Sequence, residues 1–307
     1  MSRPDSFFFA TPMSAEDLSA NILRMMQIGV DIGGTSVKAA GVENGRCLWT
    51  GQSGFYAKPT TEELRTAIRT AAGGRAACFE AIGLCVPGLF DGKQRKITFA
   101  VNVPGIVGIA LDRLVPESLN LPTGKPAKIC NDAEAAAFDI LQSRDLRGRL
   151  LVLTLGTGIG ISVLDEGRPL RVEGESPGHI GQIDVSIAGH DVVGPDGGAG
   201  GLEGYLGVTA LRAEYGPDVS AAVAKFRGDE PAMLALVRAI RIAHAIYRPQ
   251  HVCLCGGIGI RMRHLIPELR RGIEMKLTNL ARQGWTLSCG DDDFHAARGA
   301  ARMAGGI

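Results

Sequence analysis

Short apolar runs alternate with glycine-rich and polar turns along most of the chain, and this pattern predicts a mixed α/β protein. Short β-rich runs bounded by turn residues predict strands, and longer stretches with apolar residues three or four positions apart predict helices. The predicted strands are 28–31, 37–42, 46–51, 81–86, 127–130 and 251–255, with a further strand–turn–strand unit at 150–163. The predicted helices are 61–72, 133–141, 231–246, 264–281 and 296–303.

The strand–glycine turn–strand unit occurs twice, first from Ile28 and again from Leu150. Asn44-Gly45, a strong hairpin signal, joins the second and third strands, so the chain does not begin with a Rossmann unit, in which each strand leads into a crossover helix. We therefore expect two related α/β domains. The expected division is an extension at 1–26 with a short helix from Ser14 to Met26, a small domain at 27–130, a larger domain at 131–293, and a last helix at 294–307 that packs back toward the small domain.

Both repeated units carry a glycine–threonine turn at the end of an apolar strand: Gly33-Gly34-Thr35 and Gly156–Gly160. Glycine-rich turns expose backbone N–H groups without side chains in the way, and such concave donor surfaces suit phosphate oxygens. Neither turn has the G-x-x-x-x-G-K-[ST] pattern or the dinucleotide-binding spacing. The sequence thus predicts two halves that close on one phosphorylated ligand.

Composition narrows the possible functions. Neither the net charge of +1 nor the low aromatic content of 5% indicates a nucleic-acid-binding surface. No apolar run is long enough to span a bilayer. The odd number of cysteines, seven, indicates buried thiols in a reducing compartment, so we expect a cytoplasmic protein without a signal peptide. Cys253 and Cys255 could suggest a metal site, but without a second Cys/His pair nearby core packing is the favoured interpretation.

With these motifs in order, residues 27–305 resemble the ROK sugar kinases (repressors, open reading frames, kinases) of the actin/hexokinase-like superfamily. The resemblance rests on an ordered series of motifs: Asp31-Ile32-Gly33-Gly34-Thr35, Val86-Pro87-Gly88, Asn102-Val103-Pro104-Gly105, Asn131-Asp132-Ala133, Gly156–Gly160, Leu202-Glu203-Gly204-Tyr205, Gly256-Gly257 and Gly299-Ala300-Ala301. It implies a two-domain, ribonuclease H-like α/β fold with an ATP/sugar cleft between the domains. It also implies transfer of the γ-phosphoryl group of ATP to a hydroxyl of a hexose or hexose derivative.

The resemblance also implies roles for individual residues. Asp132 would be the catalytic base, because an attacking hydroxyl must lose its proton; the structural alternative is a helix N-cap. Asp31 would orient Mg²⁺ through water, or serve merely as a turn residue, and Lys38 would either neutralise phosphate charge or face solvent. ATP would also contact Gly33, Gly34, Thr35, Gly156, Thr157, Gly158, Gly160, Gly256 and Gly257. The sugar would contact Asn102, Asn131, Asp132, His179 and Glu203, with a turn role as the alternative for Asn102 and loop packing for His179.

The chain departs from the family at the positions of its structural zinc site. The four zinc ligands fall on Gln182, Gly194, Asp196 and Gly201, so we expect no zinc site. A glutamate that contacts the sugar in the family falls on His179, which places the identity of the sugar in question. Glu175 could compensate only if the alignment had a one-residue gap.

Two other functions fit the same motifs. Polyphosphate-dependent glucokinases resemble the chain at Gly33–Lys38 and also lack the zinc cysteines, and a sugar-binding regulator without catalysis would keep the fold. A DNA-binding repressor would need a helix-turn-helix domain before Asp31, where only 30 residues stand and the segment as a whole is not basic. We expect a sugar as the partner, with neither nucleic acid nor membrane, and the family suggests a homodimer.

Overall fold

The structure, a computed structural model, describes residues 26–75, 79–100, 102–122, 124, 126–172, 178–195 and 197–306. Twelve strands lie in this part of the chain: β1 Met26–Ile32, β2 Val37–Glu43, β3 Arg46–Gln52, β4 Phe79–Cys85, β5 Leu89–Asp91, β6 Lys96–Phe99, β7 Lys128–Cys130, β8 Arg149–Leu155, β9 Ile159–Asp165, β10 Arg168–Pro169, β11 His251–Cys255 and β12 Thr286–Cys289. The α-helices described are α1 Thr61–Ala72, α2 Leu111–Leu119, α3 Asp132–Ser143, α4 Leu202–Leu206, α5 Val208–Tyr215, α6 Val219–Val223, α7 Pro231–Tyr247, α8 Gly256–Gly259, α9 Ile266–Glu274 and α10 His295–Ala304.

Two five-stranded sheets of the same topology form the two halves. The first has the order β3-β2-β1-β4-β7 and the second the order β10-β9-β8-β11-β12. In each sheet the first strand pairs antiparallel with the next along the chain and parallel with the strand on its other side. The repeated strand–glycine turn–strand pattern in the sequence therefore corresponds to two copies of one sheet architecture.

Each sheet has its own apolar core. In the first half α1 packs on β2 and β3, and it begins at a capping box in which Thr60 and Glu63 exchange hydrogen bonds. In the second half α7 contributes a largely buried face to the core behind β8 and β11. Cys253 and Cys255 lie in a separate buried apolar cluster between α3 and β8, as the core interpretation of these cysteines predicted.

Helix α10 packs against both halves so closely that its backbone contacts theirs. It packs against α3 and against β1, β2 and β4. A Cβ atom added to Gly29 would lie 1.8 Å from the carbonyl oxygen of Ala297, and one added to Gly83 would lie 1.9 Å from that of Ala300. On the other side of the helix, a Cβ atom added to Gly299 would lie 1.8 Å from the carbonyl oxygen of Ala135. The small residues at these positions are therefore what allows the last helix to reach both halves.

A buried carboxylate fixes the register of this contact. Asp139 on α3 accepts hydrogen bonds from His295 Nδ1 at 2.7 Å, Arg298 Nε at 2.8 Å and Arg302 Nε at 2.9 Å. Burial alone would raise the pKa of Asp139, but the hydrogen bond from His295 and the charge of Arg298 outweigh it and lower the pKa. Since Asp139 is fully buried, removing its partners would leave a costly unpaired charge.

Several predicted elements needed correction. The helix predicted at 264–281 is a 3-10 turn, Ile260–Leu265, followed by α9, which ends at Glu274. The sequence interpretation missed the β5–β6 hairpin, α2, the short helices α4 to α6, and β12. Met26 opens β1 rather than ending a helix, and the rest of the predicted Ser14–Met26 helix lies outside the described residues. No helix in the described part of the chain is long and apolar enough to cross a membrane.

Candidate active site

A large depression lies between the two sheets and has a volume of about 1660 Å³. Pockets for one small ligand usually measure about 300–1,000 Å³, so this cleft can hold two ligands side by side. Both glycine turns line it, together with all the other predicted site residues except His179: Asp31, Lys38, Asn102, Asn131, Asp132, Glu203, Gly256 and Gly257.

The first glycine turn, Gly33–Ser36, presents unpaired donors to the cleft. Its internal hydrogen bond runs from Gly33 N–H to Ser36 O at 3.0 Å. Within the part of the chain that the structure describes, the N–H groups of Gly34, Thr35 and Ser36 have no protein acceptor. Consecutive free N–H groups can hold an anion, so the turn is suited to the phosphate-binding role that the sequence predicts.

The second glycine turn faces the first. Gly156 N–H donates to Gly158 O at 3.0 Å, and Gly156 O accepts from Val208 N–H at 3.2 Å. A Cβ atom added to Gly34 would lie 3.6 Å from the Thr157 hydroxyl oxygen, so the two turns meet across the cleft. They can therefore contact the same polyanion from opposite sides.

Two carboxylates lie close to these turns. Burial raises the pKa of Asp31 to about 6, Lys38 lowers it, and the negative charges of Asp132 and Asp293 raise it further. The pKa of Asp132 is also raised by burial, against the lowering effects of the Ala133 N–H and of Lys38. Lys38 thus acts on both carboxylates from within the cleft, which favours the cleft-facing interpretation over the solvent-facing one.

The cap of helix α3 is Asn131, not Asp132. Asn131 Oδ1 accepts from the N–H groups of Ala133 at 2.9 Å and Glu134 at 3.4 Å. Asp132 is the first helical residue, and its Oδ1 accepts the N–H of the adjacent Ala133, at 2.8 Å. The N-cap alternative for Asp132 is therefore wrong, and its carboxylate opens onto the cleft. A Cβ atom added to Gly160 would lie 3.8 Å from Asp132 Oδ1, so the second glycine turn leads directly to this carboxylate.

The sequence interpretation missed residues on the far side of the cleft. Asp292, Asp293 and Arg261 line it beside Gly257. Asp293 Oδ1 is buried without a hydrogen-bond partner in the described residues, whereas Asp292 is held by Arg298 through two bonds of 2.9 Å. The triplet of aspartates at 291–293 was a visible signal, but nothing local to it indicated which member faces the cleft.

The Glu203 side chain lies between the second glycine turn and a 3-10 turn, Ile180–Gln182. Glu203 Oε2 accepts the Ile159 N–H at 3.4 Å and lies 2.9 Å from the position of a Cβ on Gly181. His179 precedes this 3-10 turn, is exposed, and is not among the residues that line the cleft. The structure therefore does not bring His179 together with the other predicted sugar contacts, whereas His190 does line the cleft.

The loop that would carry the zinc ligands is held by hydrogen bonds. The Tyr205 hydroxyl accepts from Ile187 N–H at 2.9 Å and donates to His190 O at 2.7 Å. Backbone hydrogen bonds close the rest of the loop, among them those from Val185 N–H to Gly200 O, Gly200 N–H to Val192 O, and Gly194 N–H to Gly198 O. Asp196 and Glu175 lie outside the described residues. Among the residues that the structure describes, no group of three or more His, Cys, Asp or Glu side chains is arranged to hold a metal ion.

Comparison with known proteins places this geometry in a family. The family model "ROK family" matches residues 27–306. An N-acetylmannosamine kinase from Vibrio cholerae is 29% identical over 178 residues, which are 54% of this chain and 56% of that protein, so the match spans just over half of that relative's length. A ROK hexokinase from Thermus thermophilus has a TM-score of 0.67 at 25% identity and covers 91% of this chain and 98% of its own.

A ROK family glucokinase from Streptomyces griseus, solved with glucose and AMPPNP, has a TM-score of 0.66 at 23% identity over 91% of this chain and 99% of that one. These structures share the actin/hexokinase-like two-domain fold, which the sequence predicted. The match to the family model extends over nearly all of the described residues, and the chain therefore belongs to the ROK family.

Proposed function

We propose that this protein is a kinase that transfers the γ-phosphoryl group of ATP to a hydroxyl of a hexose or hexose derivative. The observation that carries the proposal is the pair of opposed glycine turns with Asp132 beside them. Phosphoryl transfer needs little covalent chemistry from a protein; it needs an aligned donor, stabilised phosphate charge and a base for the attacking hydroxyl. In this proposal the two glycine turns would align the donor and stabilise its phosphate charge, and Asp132 would be the base.

In this mechanism Asp132 accepts the proton of the sugar hydroxyl as its oxygen attacks the γ-phosphorus. The bond from that phosphorus to the β,γ-bridging oxygen breaks, and ADP leaves. The raised pKa of Asp132 makes it a better proton acceptor than an ordinary aspartate, provided that it is ionised at the working pH. The free N–H groups of the two turns donate to phosphate oxygens, which favours the charge of the transition state.

Asp31 is suited to hold the Mg²⁺ ion that the family resemblance implies. Its carboxylate lies in the cleft beside two other negative charges, an arrangement that a cation would stabilise. Mg²⁺ commonly keeps several waters and needs only one or two carboxylates together with substrate phosphates, so a ring of protein ligands is not required. When bound, the ion would neutralise charge on the donor phosphates, and Asp31 would hold it through water.

The charge of the cleft favours ATP over polyphosphate as donor. Its acidic side chains are Asp31, Asp132, Glu203, Glu214, Asp218, Asp292 and Asp293, against the basic Lys38, Lys58, Arg212 and Arg261. Proteins bind a long polyanion, such as a nucleic-acid backbone, through many Lys and Arg side chains along its phosphates. A cleft with more acids than bases suits instead a short phosphate chain that arrives with its cation.

The sugar-side wall suits an acetamido sugar. His190, Val192, Val193 and Pro195 line the cleft near Glu203, and Val193 is 67% exposed. A methyl group can pack on the valines, and an imidazole can donate to or accept from an amide. This chemistry agrees with the named activity of the Vibrio relative, so we place N-acetylhexosamines first among the candidate substrates. That the protein forms a homodimer and that it is cytoplasmic are still predictions from the sequence.

A phosphorylation screen tests this proposal. Hexoses, N-acetylhexosamines and related polyols are each incubated with Mg²⁺ and either ATP or polyphosphate, and release of ADP and formation of sugar phosphate are measured. We expect sugar-dependent turnover with ATP, highest for an N-acetylhexosamine. Turnover with polyphosphate alone would contradict the assignment of the donor, and sugar binding without turnover under any condition would indicate a silent sugar-binding protein.

The pKa of Asp31 predicts an acid limit to activity. Since Asp31 must be ionised to hold Mg²⁺, kcat/KM for ATP should fall as the pH drops through about 6. Asp293→Asn removes a negative charge that raises the pKa of Asp31, so this limit should move to lower pH. Asp291→Asn is the control: its exposed carboxylate pairs with Arg144, and the limit should not move. A limit that stays in place in Asp293→Asn would contradict this assignment.

A further inference from the structure

The segment between β3 and α1 holds the first glycine turn from behind. Tyr56 contributes two hydrogen bonds: its hydroxyl donates to Gly33 O at 2.7 Å, and its backbone N–H donates to Thr35 O at 2.9 Å. Ser53 adds a further pair to the end of the turn, since its Oγ accepts from Val37 N–H and its N–H donates to Val37 O, each at 2.9 Å.

These bonds decide which polar groups of the turn face the cleft. The carbonyl oxygens of Gly33 and Thr35 are both occupied by Tyr56, whereas the N–H groups of Gly34, Thr35 and Ser36 have no acceptor in the described structure. A carbonyl oxygen turned toward a phosphate would repel it, and glycine peptides rotate easily because Gly33 and Gly34 lack a Cβ. The Tyr56 hydroxyl opposes that rotation at the Gly33–Gly34 peptide.

The Tyr56 hydroxyl stays protonated and so can keep donating its hydrogen bond to Gly33 O. Its side chain is partly buried at the edge of the cleft, and burial together with the charge of Asp31 raises its pKa well above the usual range. The hydroxyl therefore keeps its proton at any pH at which the enzyme works. The contact with Gly33 is long-range in sequence, and no motif of the chain marks it.

We propose that Tyr56 is a positioning residue for the phosphate donor: it keeps the Gly33 carbonyl out of the phosphate site and the N–H groups of the first glycine turn directed into it. This inference rests on the proposed kinase function. It assigns to Tyr56 no contact with the reacting atoms. Its effect should therefore appear in donor affinity and not in sugar affinity.

The test compares wild type with Tyr56→Phe, which removes only the hydroxyl. Affinity for AMPPNP with Mg²⁺ and, separately, for the sugar that the screen identifies is measured by calorimetry, and KM for ATP is measured by a coupled assay. One hydrogen bond is worth about 0.5–1.5 kcal/mol, so AMPPNP affinity should fall about 2- to 13-fold and KM for ATP should rise to match. Affinity for the sugar alone should stay close to that of the wild type, and the melting temperature should fall by no more than about 2–4 °C per kcal/mol of the lost bond.

Tyr247→Phe is the matched control, because Tyr247 lies at the end of α7 and does not line the cleft. It should leave both affinities unchanged. Equal AMPPNP binding by wild type and Tyr56→Phe would overturn the role of Tyr56, as would a parallel loss of sugar affinity, which would indicate general damage. Failure of wild type itself to bind AMPPNP would instead refute the proposed function.

Discussion

Asp132→Asn should lower kcat by about 10²–10⁴-fold, the usual contribution of a positioned general base. Asparagine has nearly the same shape but cannot take the proton from the sugar hydroxyl. Because the cap of α3 is Asn131, the exchange leaves the helix start intact. Sugar affinity, measured by calorimetry without nucleotide, should therefore stay within a few-fold of wild type, and AMPPNP affinity should change little.

The control for this variant is Asp145→Asn. Asp145 is exposed, pairs with Arg147 and has a positive φ of 45°, which asparagine tolerates well. Its kcat should equal that of wild type. A kcat of Asp132→Asn close to that of this control would remove Asp132 as the base, and a loss of sugar binding together with kcat would show that its main role is to hold the substrate.

Gly299→Ala should destabilise the protein strongly although it improves helix propensity. Alanine is favoured over glycine inside a helix by about 1 kcal/mol. However, the added Cβ would lie 1.8 Å from the carbonyl oxygen of Ala135, and the neighbour is helix backbone that cannot move alone. Overpacking of this kind costs about 1–3 kcal/mol, and an approach of 1.8 Å to backbone belongs at the upper end of that range. After the gain of about 1 kcal/mol in helix propensity, we expect the free energy of unfolding to fall by about 2 kcal/mol.

Urea denaturation measures this effect, and Gly54→Ala is the control. A Cβ added to Gly54 meets no atom within 4 Å, and the residue does not have the positive φ that favours glycine. The control should be neutral or slightly stabilising, by up to about 1 kcal/mol, because alanine reduces the freedom of the unfolded chain. Equal stability of Gly299→Ala and wild type would contradict the close contact between α10 and α3.

The elements that the sequence predicted well are those specified by local signals. The helix at Thr61–Ala72 has a capping box at its start and a left-handed glycine at its end, and the Asn44-Gly45 turn defines the β2–β3 hairpin. The two glycine turns could be recognised because each follows an apolar strand. Their meeting across one cleft followed only from the assumption that the two halves are related.

The features that could not be predicted depend on contacts between distant parts of the chain. Asp139 is bound by residues of the last helix, and the Tyr56 hydroxyl reaches Gly33 from the next segment of the first half. Neither contact has a periodicity or a motif. Asn131 and Asp132 are both good N-cap residues, and only the backbone geometry shows that the helix is capped by Asn131.

The position of His179 illustrates a different limit. Alignment by motif spacing placed it at a sugar contact, whereas the structure places it outside the cleft lining and puts His190 there instead. Spacing fixes the order of residues along a loop but not the direction in which the loop turns.

The most direct test of the central claim is ³¹P NMR of the protein with ATP, Mg²⁺ and an N-acetylhexosamine or hexose, with wild type and Asp132→Asn side by side. With wild type, the γ-phosphate signal of ATP should be replaced by those of ADP and of a sugar phosphate monoester. With Asp132→Asn the ATP signals should persist while the sugar remains bound. The absence of any sugar phosphate signal with wild type across the whole sugar panel would contradict the assignment of this cleft as the active site of a sugar kinase.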